Sequence, residues 1–470
     1  MEREELPKGT ISIAWLLVLG ALPPMLNTTI INIAVNSLAN IFATSLAVTQ
    51  WIVTGYVLAL GIAVPFSGWL MRRYDGKNVY LGALSLFLLA SALGGFAWDM
   101  PSLIAFRVLQ GFASGLIIPT LTALIAQAAG NENLGRIMSI VGLPIVFGPI
   151  IGPIIGGLIL QNLTWQWLFF VNLPVGALAL ILLQWKLPKF EAVDKSAKLD
   201  WFGILLLALF SGMLIFGVTE LKTQSISAMG ISAFVIAIAS LIGYLVYAWK
   251  NKDQALIPLD LFKSHNFSAA FVSLFLSGFA INGPMLLFPL FFQDVRELDI
   301  ITSALWLVPQ GVGMLLTRPL VGKLTDSLGA QLVVLPSIAI TIIGTLPFVF
   351  FDANTASWLI WLVLFIRGTG VGGITIPVMS DSYIGLEKSQ VPAASVATRI
   401  IQNVGAAFGS VILVTVVSGA LTVGGATAAN FAGAYHIGFV TSLIFMLISI
   451  LPALFLTNKL RSPVMRSKLV

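Results

Sequence analysis

Apolar residues run through this chain in long blocks, and the polar residues between them fall into short clusters. A helix crossing roughly 30 Å of hydrocarbon at 1.5 Å per residue needs about 20 mostly apolar residues. Fourteen blocks meet that requirement: 11–36, 47–71, 78–97, 101–128, 134–160, 165–186, 201–219, 227–249, 268–292, 302–323, 331–351, 356–380, 391–417 and 434–457. They read as helices, because stretches such as 204–216 and 443–456 are apolar on nearly every face. Barrel strands would alternate over about ten residues instead. The expected fold class is an all-α membrane protein with fourteen transmembrane helices.

The polar clusters set the orientation, since Lys and Arg collect in short cytoplasmic loops. With the N-terminus inside, nineteen of the 25 basic residues lie in cytoplasmic segments, among them Arg72, Arg73, Lys77, Lys186, Lys250, Lys263, Lys323 and Lys459. Lys222 and Arg296 fall in outer loops, and Arg107, Arg318, Arg367 and Arg399 fall within spans. Both termini are therefore expected in the cytoplasm. The two longest inner loops, 187–200 and 250–267, are both basic, so an even number of crossings separates them. That divides the chain into an N-terminal six-helix bundle (1–186), a linker (187–267) with two extra helices at about 201–219 and 227–249, a C-terminal six-helix bundle (268–457) and a cytoplasmic tail (458–470). The first apolar block carries no small-residue cleavage site, so it reads as a retained span rather than a signal peptide.

Composition narrows the function. Hydrophobic residues make up 58% and charged residues 9%, where a soluble domain carries about 25% charged; the mean hydropathy is +0.99. So little polar side chain cannot cover a water-facing surface, which excludes a soluble enzyme, a nucleic-acid binder and a disordered scaffold. Cysteine is absent, and with it any disulfide, thiolate metal site or thiol nucleophile. The two histidines, His265 and His436, stand far apart in sequence, so no metal site is expected and no cofactor is implied. The chain has no GxxxxGK[ST] loop for ATP drive. It also lacks the HExxH, GxSxG or paired intramembrane acids of an intramembrane enzyme.

Two inner-loop sequences echo each other at an offset of 254 residues: Gly68-Trp69-Leu70 after span 2, and Gly322-Lys323-Leu324-Thr325-Asp326-Ser327-Leu328-Gly329 after span 10. A second echo, offset by 258, links Gly115 and Pro119 in span 4 to Gly373 and Pro377 in span 12. Both fit two parallel six-span repeats around an insert, a transporter design whose substrate site lies near the midplane. In span 5, Gly148, Gly152 and Gly156 form a slowly turning stripe for close helix approach, extended by Gly157 and bent by Pro149 and Pro153. Span 4 carries Arg107-Val108-Leu109-Gln110-Gly111; span 2 holds Gln50-Trp51 and Tyr56, and span 1 holds Thr29-Ile30-Ile31-Asn32. Trp165-Gln166-Trp167 and Asn172-Leu173-Pro174-Val175-Gly176 lie at span 6.

Over essentially its whole length the chain resembles the major facilitator superfamily, and in particular its fourteen-span drug:proton antiporter family. The span-5 run from Gly148 to Gly157 is similar to the antiporter signature GxxxGPxxGG, and Arg107 to Gly111 to the RxxQG element that the family associates with proton coupling. Arg399-Ile400-Ile401-Gln402, ahead of Gly405 and Gly409, is similar to an element of span 13. The inner-loop pattern G-x-L-A-D-R-x-G-R-K reads here from Gly68 to Lys77, with Arg72 in the Asp slot and Asp75 in a Gly slot; the acid of the other half is Asp326. Gly68, Arg72 and Asp75, with Gly322, Asp326 and Gly329, are the candidate inner-loop gate. An acid there either caps a helix or pairs across the halves, or is a plain solvated turn charge.

The candidate coupling and cavity residues are Asn27, Arg107, Gln110, Arg367, Arg399 and Gln402. An arginine at a helix centre costs about 2.5–3.5 kcal/mol on insertion scales, so each needs a partner or a wet cavity. Arg318, close to an inner end, is expected to snorkel to water. Trp51, Tyr56, Asn282, Trp306 and Gln310 are expected in the substrate cavity, beside polar neighbours. Many members of the family carry an Asp in span 1 where this chain reads Leu26-Asn27-Thr28-Thr29, and Asn27 cannot titrate. The acids lie near span ends instead: Asp99, Glu220, Asp294 and Asp352 outside, Asp75, Asp326 and Asp381 inside. Three readings stay open: an acid near an end carries the proton, coupling is to something else, or Asn27 stands in place of a natural Asp.

The resemblance implies a secondary transporter exporting small amphipathic organic compounds across a bacterial cytoplasmic membrane by alternating access, with protons as coupling ion. It is expected to work as a monomer in lipid, with no nucleic-acid partner. The alternatives are a facilitator or symporter of one metabolite, or a membrane sensor, although no inner loop reaches twenty residues to serve as an output module.

Overall fold

The computed structural model describes residues 10–129, 137, 143–192, 194–195, 200–220, 228–251, 255–387, 389–424 and 428–459. Helix occurs in every one of the fourteen apolar blocks: α1 (Thr10–Ile41), α2 (Trp51–Arg73), α3 (Gly76–Gly95), α4 (Met100–Ala129), α5 (Leu143–Asn162), α6 (Trp167–Lys186), α7 (Trp201–Glu220), α8 (Ala228–Lys250), α9 (His265–Asp294), α10 (Val308–Leu328), α11 (Ala330–Val349), α12 (Ser357–Asp381), α13 (Val391–Gly424) and α14 (Ala428–Ala453). No strand occurs among the described residues. Among the described residues twelve segments are long and apolar enough to cross a membrane; the apolar part of α7, Trp201–Gly217, is shorter, and the beginning of the fifth block lies outside the described residues. Helix α6 is interrupted by a turn at Val171, α9 by a π-helical turn at Gly278–Asn282 just before Pro284, which cannot donate a backbone hydrogen bond, and α12 by a turn at Gly373 and Ile374, while α11 ends in a 3-10 turn at Leu346–Val349.

The two sets of six helices pair in the same way. In the first, α2 packs on α4, α3 on α4, α1 on α5 and α6, and α3 on α6; in the second, α10 packs on α12, α11 on α12, α9 on α13 and α14, and α11 on α14. The short sequence echoes thus fall on helices that pair alike in the two sets. Helices α7 and α8 pack on each other, and α7 lies against α2 of the first repeat and α13 of the second.

The end of the molecule bearing Arg72, Lys77, Lys323 and Lys459 is the basic end. There one apolar cluster runs across both repeats, joining Met71, Leu121 and Leu124 to Tyr383, Val391, Ala394 and Val396. At the opposite end each repeat keeps its own cluster: Ile30, Leu38, Leu103 and Phe169 in the first, and Phe288, Phe291, Phe348 and Phe439 in the second. The repeats are thus sealed together at the basic end.

Local polar contacts fix that end. Asp75 caps α3, accepting from the backbone N–H of Lys77 at 2.8 Å and of Asn78 at 3.4 Å. The Lys77 ammonium donates to the last carbonyls of α6, Gln184 at 2.7 Å and Leu187 at 2.8 Å, where a cation complements the helix dipole. In the second repeat Lys459 donates to the Asp326 carbonyl at 2.6 Å. Gly329 ends α10 at φ 91°, and a Cβ there would stand 2.4 Å from the Thr457 carbonyl, so the position needs glycine twice over.

Candidate functional site

The first polar cluster is built on the RxxQ spacing. Arg107 and Gln110 stand one turn apart on α4, so both side chains share a face. Arg107 is 1% exposed. Its Nε donates to the Ile52 carbonyl at 2.8 Å, and its Nη1 donates to Gln110 Oε1 at 2.6 Å and to Asn27 Oδ1. The guanidinium carbon lies 4.2 Å from the centre of the Tyr56 ring, a cation–π contact in a desolvated place. Gln110 passes the chain on, donating to Ser91 Oγ at 2.6 Å. The Tyr56 hydroxyl lies 2.7 Å from Ser114 Oγ and 3.2 Å from the Pro24 carbonyl, within hydrogen-bond reach of both. A Cβ on Gly111 would stand 2.2 Å from the Tyr56 carbonyl, so glycine is what lets α2 bring that ring to Arg107.

The second repeat holds a counterpart. Arg367, fully buried on α12, donates from Nη1 to Gln310 Oε1 at 2.8 Å and from Nε to Thr345 Oγ1 at 3.2 Å, and lies 4.7 Å from the centre of the Phe288 ring. Gly368 meets the Gln310 carbonyl as Gly111 meets that of Tyr56; a Cβ there would stand 2.0 Å away. Each arginine is thus solvated by amide or hydroxyl oxygens and one ring face. Two buried donors in these clusters have no hydrogen-bond partner: Asn27 Nδ2 and Arg367 Nη2.

Several residues singled out in the sequence lie elsewhere. Gln310, expected in the cavity, is 2% exposed and holds Arg367. Trp51 is 43% exposed and stacks on Phe216 of α7 with centroids 6.4 Å apart, so it faces the insert rather than the arginines. Trp306 packs edge-on against Phe292 at 5.3 Å and Trp361 at 5.8 Å, under the Arg296 guanidinium. The side chain of Asn282 and the surroundings of Gly148 and Pro153 lie outside the described residues. Arg399 is half-buried and donates to Gln402 Oε1 at 3.3 Å. Arg318, expected to reach water, is 4% exposed with Nε and Nη1 unpartnered.

The span-5 glycines face inward within their own repeat. A Cβ on Gly152 would meet Thr29 Oγ1 at 1.9 Å, and one on Gly156 the Ile30 carbonyl at 2.9 Å; Gly157 is buried beside them. The stripe therefore seats α5 on α1, next to Asn27. Its twin is Gly405 and Gly409 on α13, which meet the Phe275 and Phe279 carbonyls of α9. At the basic end Gly68 and Gly322 are buried, the Arg72 carbonyl accepts from the Asp194 N–H at 2.9 Å, and Asp75 is a helix cap. Ser91, Ser114 and Thr345 complete the arginine clusters without a sequence signal, since isolated hydroxyls on apolar helices carry no spacing pattern. Asp381 is fully buried; its Oδ2 accepts from the Thr457 N–H at 3.1 Å and its Oδ1 has no partner. No three His, Asp or Glu side chains among the described residues are grouped to hold a metal ion.

A groove of about 830 Å³ opens between the repeats, walled by Trp15, Leu19, Leu22 and Leu26 of α1, Ile151 of α5 and Leu315 of α10, with Ser12 and Lys186 at its basic end. It is a largely apolar cavity of ligand size.

Two sets of helices that pair alike, broad exposed apolar surfaces and a buried arginine cluster within each set are the features of a multi-pass membrane carrier. The sequence profile of the Major Facilitator Superfamily matches residues 17–410, and the chain belongs to that family. It is a transporter of the cell membrane and not an enzyme. It is 30% identical over 414 residues to a Multidrug resistance protein B homolog of Mycobacterium tuberculosis, covering 87% of this chain and 76% of that one. It is 27% identical over 394 residues to the Lincomycin resistance protein LmrB of Listeria innocua, covering 84% and 83%. In fold it is similar to the human organic anion transporter MFSD10, at a TM-score of 0.65 and 14% identity over 95% of this chain and 100% of that one. The proton:xylose symporter XylE gives a TM-score of 0.60 at 16% identity over 94% and 96%.

Proposed function

We propose that the protein exports small amphipathic organic compounds from the cytoplasm by alternating access, driven by inward movement of protons. In this reading all fourteen helices span the membrane, both termini and the basic end are cytoplasmic, and the functional units are the bundles 1–186 and 268–457 around the insert 187–267. The observation that carries it is the asymmetry of packing: one apolar seal across both repeats at the basic end, and separate clusters at the other. That is the packing of a carrier closed to the cytoplasm, and relatives with multidrug- and lincomycin-resistance names supply the cargo class. An apolar groove with Ser12 and Lys186 as its polar residues suits an amphiphile better than a sugar or an ion.

Position 27 supports proton coupling in a particular way. Asn27 Oδ1 already accepts from Arg107, while Nδ2 is a buried donor without an acceptor, a defect worth about 1–3 kcal/mol. A carboxylate of the same shape would remove that donor and give the guanidinium a counter-charge that can be neutralised by a proton. The test uses purified protein in liposomes with a pH-sensitive dye inside. Cationic, neutral and anionic amphiphiles are added to the chain as it stands and to Asn27→Asp. Substrate-dependent proton flux with Asn27 present assigns the proton to another acid, Asp381 first, then Asp326 and Asp99. Flux in Asn27→Asp alone makes position 27 the coupling site and the chain with Asn27 an uncoupled form of the antiporter. No flux from either, in protein shown to bind ligand, overturns proton antiport.

A further inference from the structure

The two-helix insert is built into the cytoplasmic seal through one buried carboxylate. Asp200, 9% exposed, sits just before α7. Its Oδ1 accepts from the Gly203 N–H at 2.8 Å, capping α7, and from the Tyr247 hydroxyl of α8 at 2.6 Å. Its Oδ2 accepts from the Leu256 N–H at 3.2 Å, in the connector that leads to the second repeat. Tyr244 fixes the next residue, its hydroxyl accepting from the Ile257 N–H at 2.7 Å. One acid therefore ties both insert helices to residue 256.

Leu256 is 2% exposed, and what covers it is the seal itself. A Cβ built on Gly68 of α2 would meet Val396 of α13 at 2.8 Å and Leu256 at 3.3 Å. The inner-loop glycine of the first repeat, the start of α13 in the second and the connector thus close on one point. The insert is anchored to the first repeat higher up as well: Ser211 of α7 donates to the Gly61 carbonyl at 3.0 Å, and Gly212 packs on Ile62. When α2 and α13 separate at their cytoplasmic ends, Leu256 loses one wall of its notch. Because Asp200 holds it on the insert, it cannot follow α13.

We propose that Asp200 is a positioning residue for transport: by holding Leu256 in the notch between Gly68 and Val396, it gives the two-helix insert the role of a latch that favours the cytoplasm-closed form. This rests on the alternating-access reading above, but its test needs no substrate. The chain has no cysteine, so Ala397→Cys, at a position 2% exposed in the seal, is a single reporter in an otherwise unaltered protein. The rate of its reaction with a membrane-impermeant maleimide, in vesicles whose cytoplasmic face is outward, reads opening of that end.

Asp200→Asn keeps an oxygen for the helix cap and for Tyr247 but turns an N–H toward that of Leu256. Leu256→Ala leaves every one of these hydrogen bonds and empties the notch. Each is expected to raise the labelling rate about tenfold by shifting the closed–open balance. Because both act through one contact, the double variant should label no faster than the faster single. Tyr247→Phe, which spares the Leu256 bond, should stay near the parent rate. The latch is overturned if Asp200→Asn and Leu256→Ala both label at the parent rate, if their effects multiply, or if Tyr247→Phe matches Asp200→Asn. Should Asp200→Asn fail to fold, Leu256→Ala alone carries the first comparison. A chain that does not alternate would leave the Ala397→Cys reporter unlabelled in the parent, which is distinct from equal labelling of all variants.

Discussion

Alanine at Gly111 tests whether the first arginine cluster depends on how closely α2 and α4 approach. The added Cβ would stand 2.2 Å from the Tyr56 carbonyl oxygen and 2.8 Å from the carbonyl carbon and Cα. All three atoms are backbone, so no change of rotamer relieves the clash and the helices must part. Overpacking of this kind costs about 1–3 kcal/mol, and alanine returns up to about 1 kcal/mol in helix propensity. The net loss is then about 1–2 kcal/mol, or roughly 2–8 °C of melting temperature for a unit the size of one bundle. Gly368→Ala meets the Gln310 carbonyl at 2.0 Å and should lose as much. Gly82, inside α3, has nothing within 4 Å, so Gly82→Ala is the control and should melt at or above the parent. Tryptophan fluorescence in detergent reads all three. Because parting the helices also carries Tyr56 away from Arg107, Gly111→Ala should lose transport beyond its loss of folded protein. If Gly111→Ala melts together with Gly82→Ala and transports normally, the close approach is not what holds the cluster.

Two further outcomes concern the loops. Asp75→Ala removes the cap of α3, which accepts from Lys77 and Asn78, and should lower stability by about 1 kcal/mol, whereas Asp75→Asn, which can still cap, should lose little; thermal melting separates them. The Ser102 hydroxyl and N–H hold the Asp99 carboxyl below the usual carboxylate range, and Thr355 and Asn354 do the same for Asp352. A lowered folded pKa gives stability that is present above the unfolded value and lost as pH falls through the folded one, so melting should decline below about pH 4. Asp99→Asn should flatten that decline, and an unchanged slope would show that the hydrogen bonds to Ser102 do not matter.

What was legible in the sequence follows the range of the forces involved. Apolar blocks of spanning length depend only on local composition, and all fourteen contain helix. The Arg107 and Gln110 pair was legible because a three-residue spacing on a helix fixes a shared face. Its partners were not, because Asn27, Ile52 and Ser91 come from three other helices whose rotation is set by packing. Trp51 shows the same limit. Its polar neighbour pointed to the cavity, but α2 turns it toward Phe216 of the insert, and nothing in either segment announces that α7 lies there.

Arg318 and Arg367 show why the remaining differences have one cause. Snorkelling was expected of Arg318 because Lys323 looked like the end of its span, yet α10 runs ten residues past Arg318, about 15 Å of helix, so its guanidinium stays inside. The polar neighbours of Gln310 point it to the cavity, but an amide one helix away from a buried arginine is worth more as its acceptor. It therefore turned to Arg367, as Gln110 turned to Arg107. A polar side chain in a membrane helix goes first to the nearest unsatisfied charge. Within the two arginine clusters the buried donors that stay unpartnered, Asn27 Nδ2 and Arg367 Nη2, therefore mark one position in each repeat where a counter-charge, from a side chain or a bound solute, has much to gain.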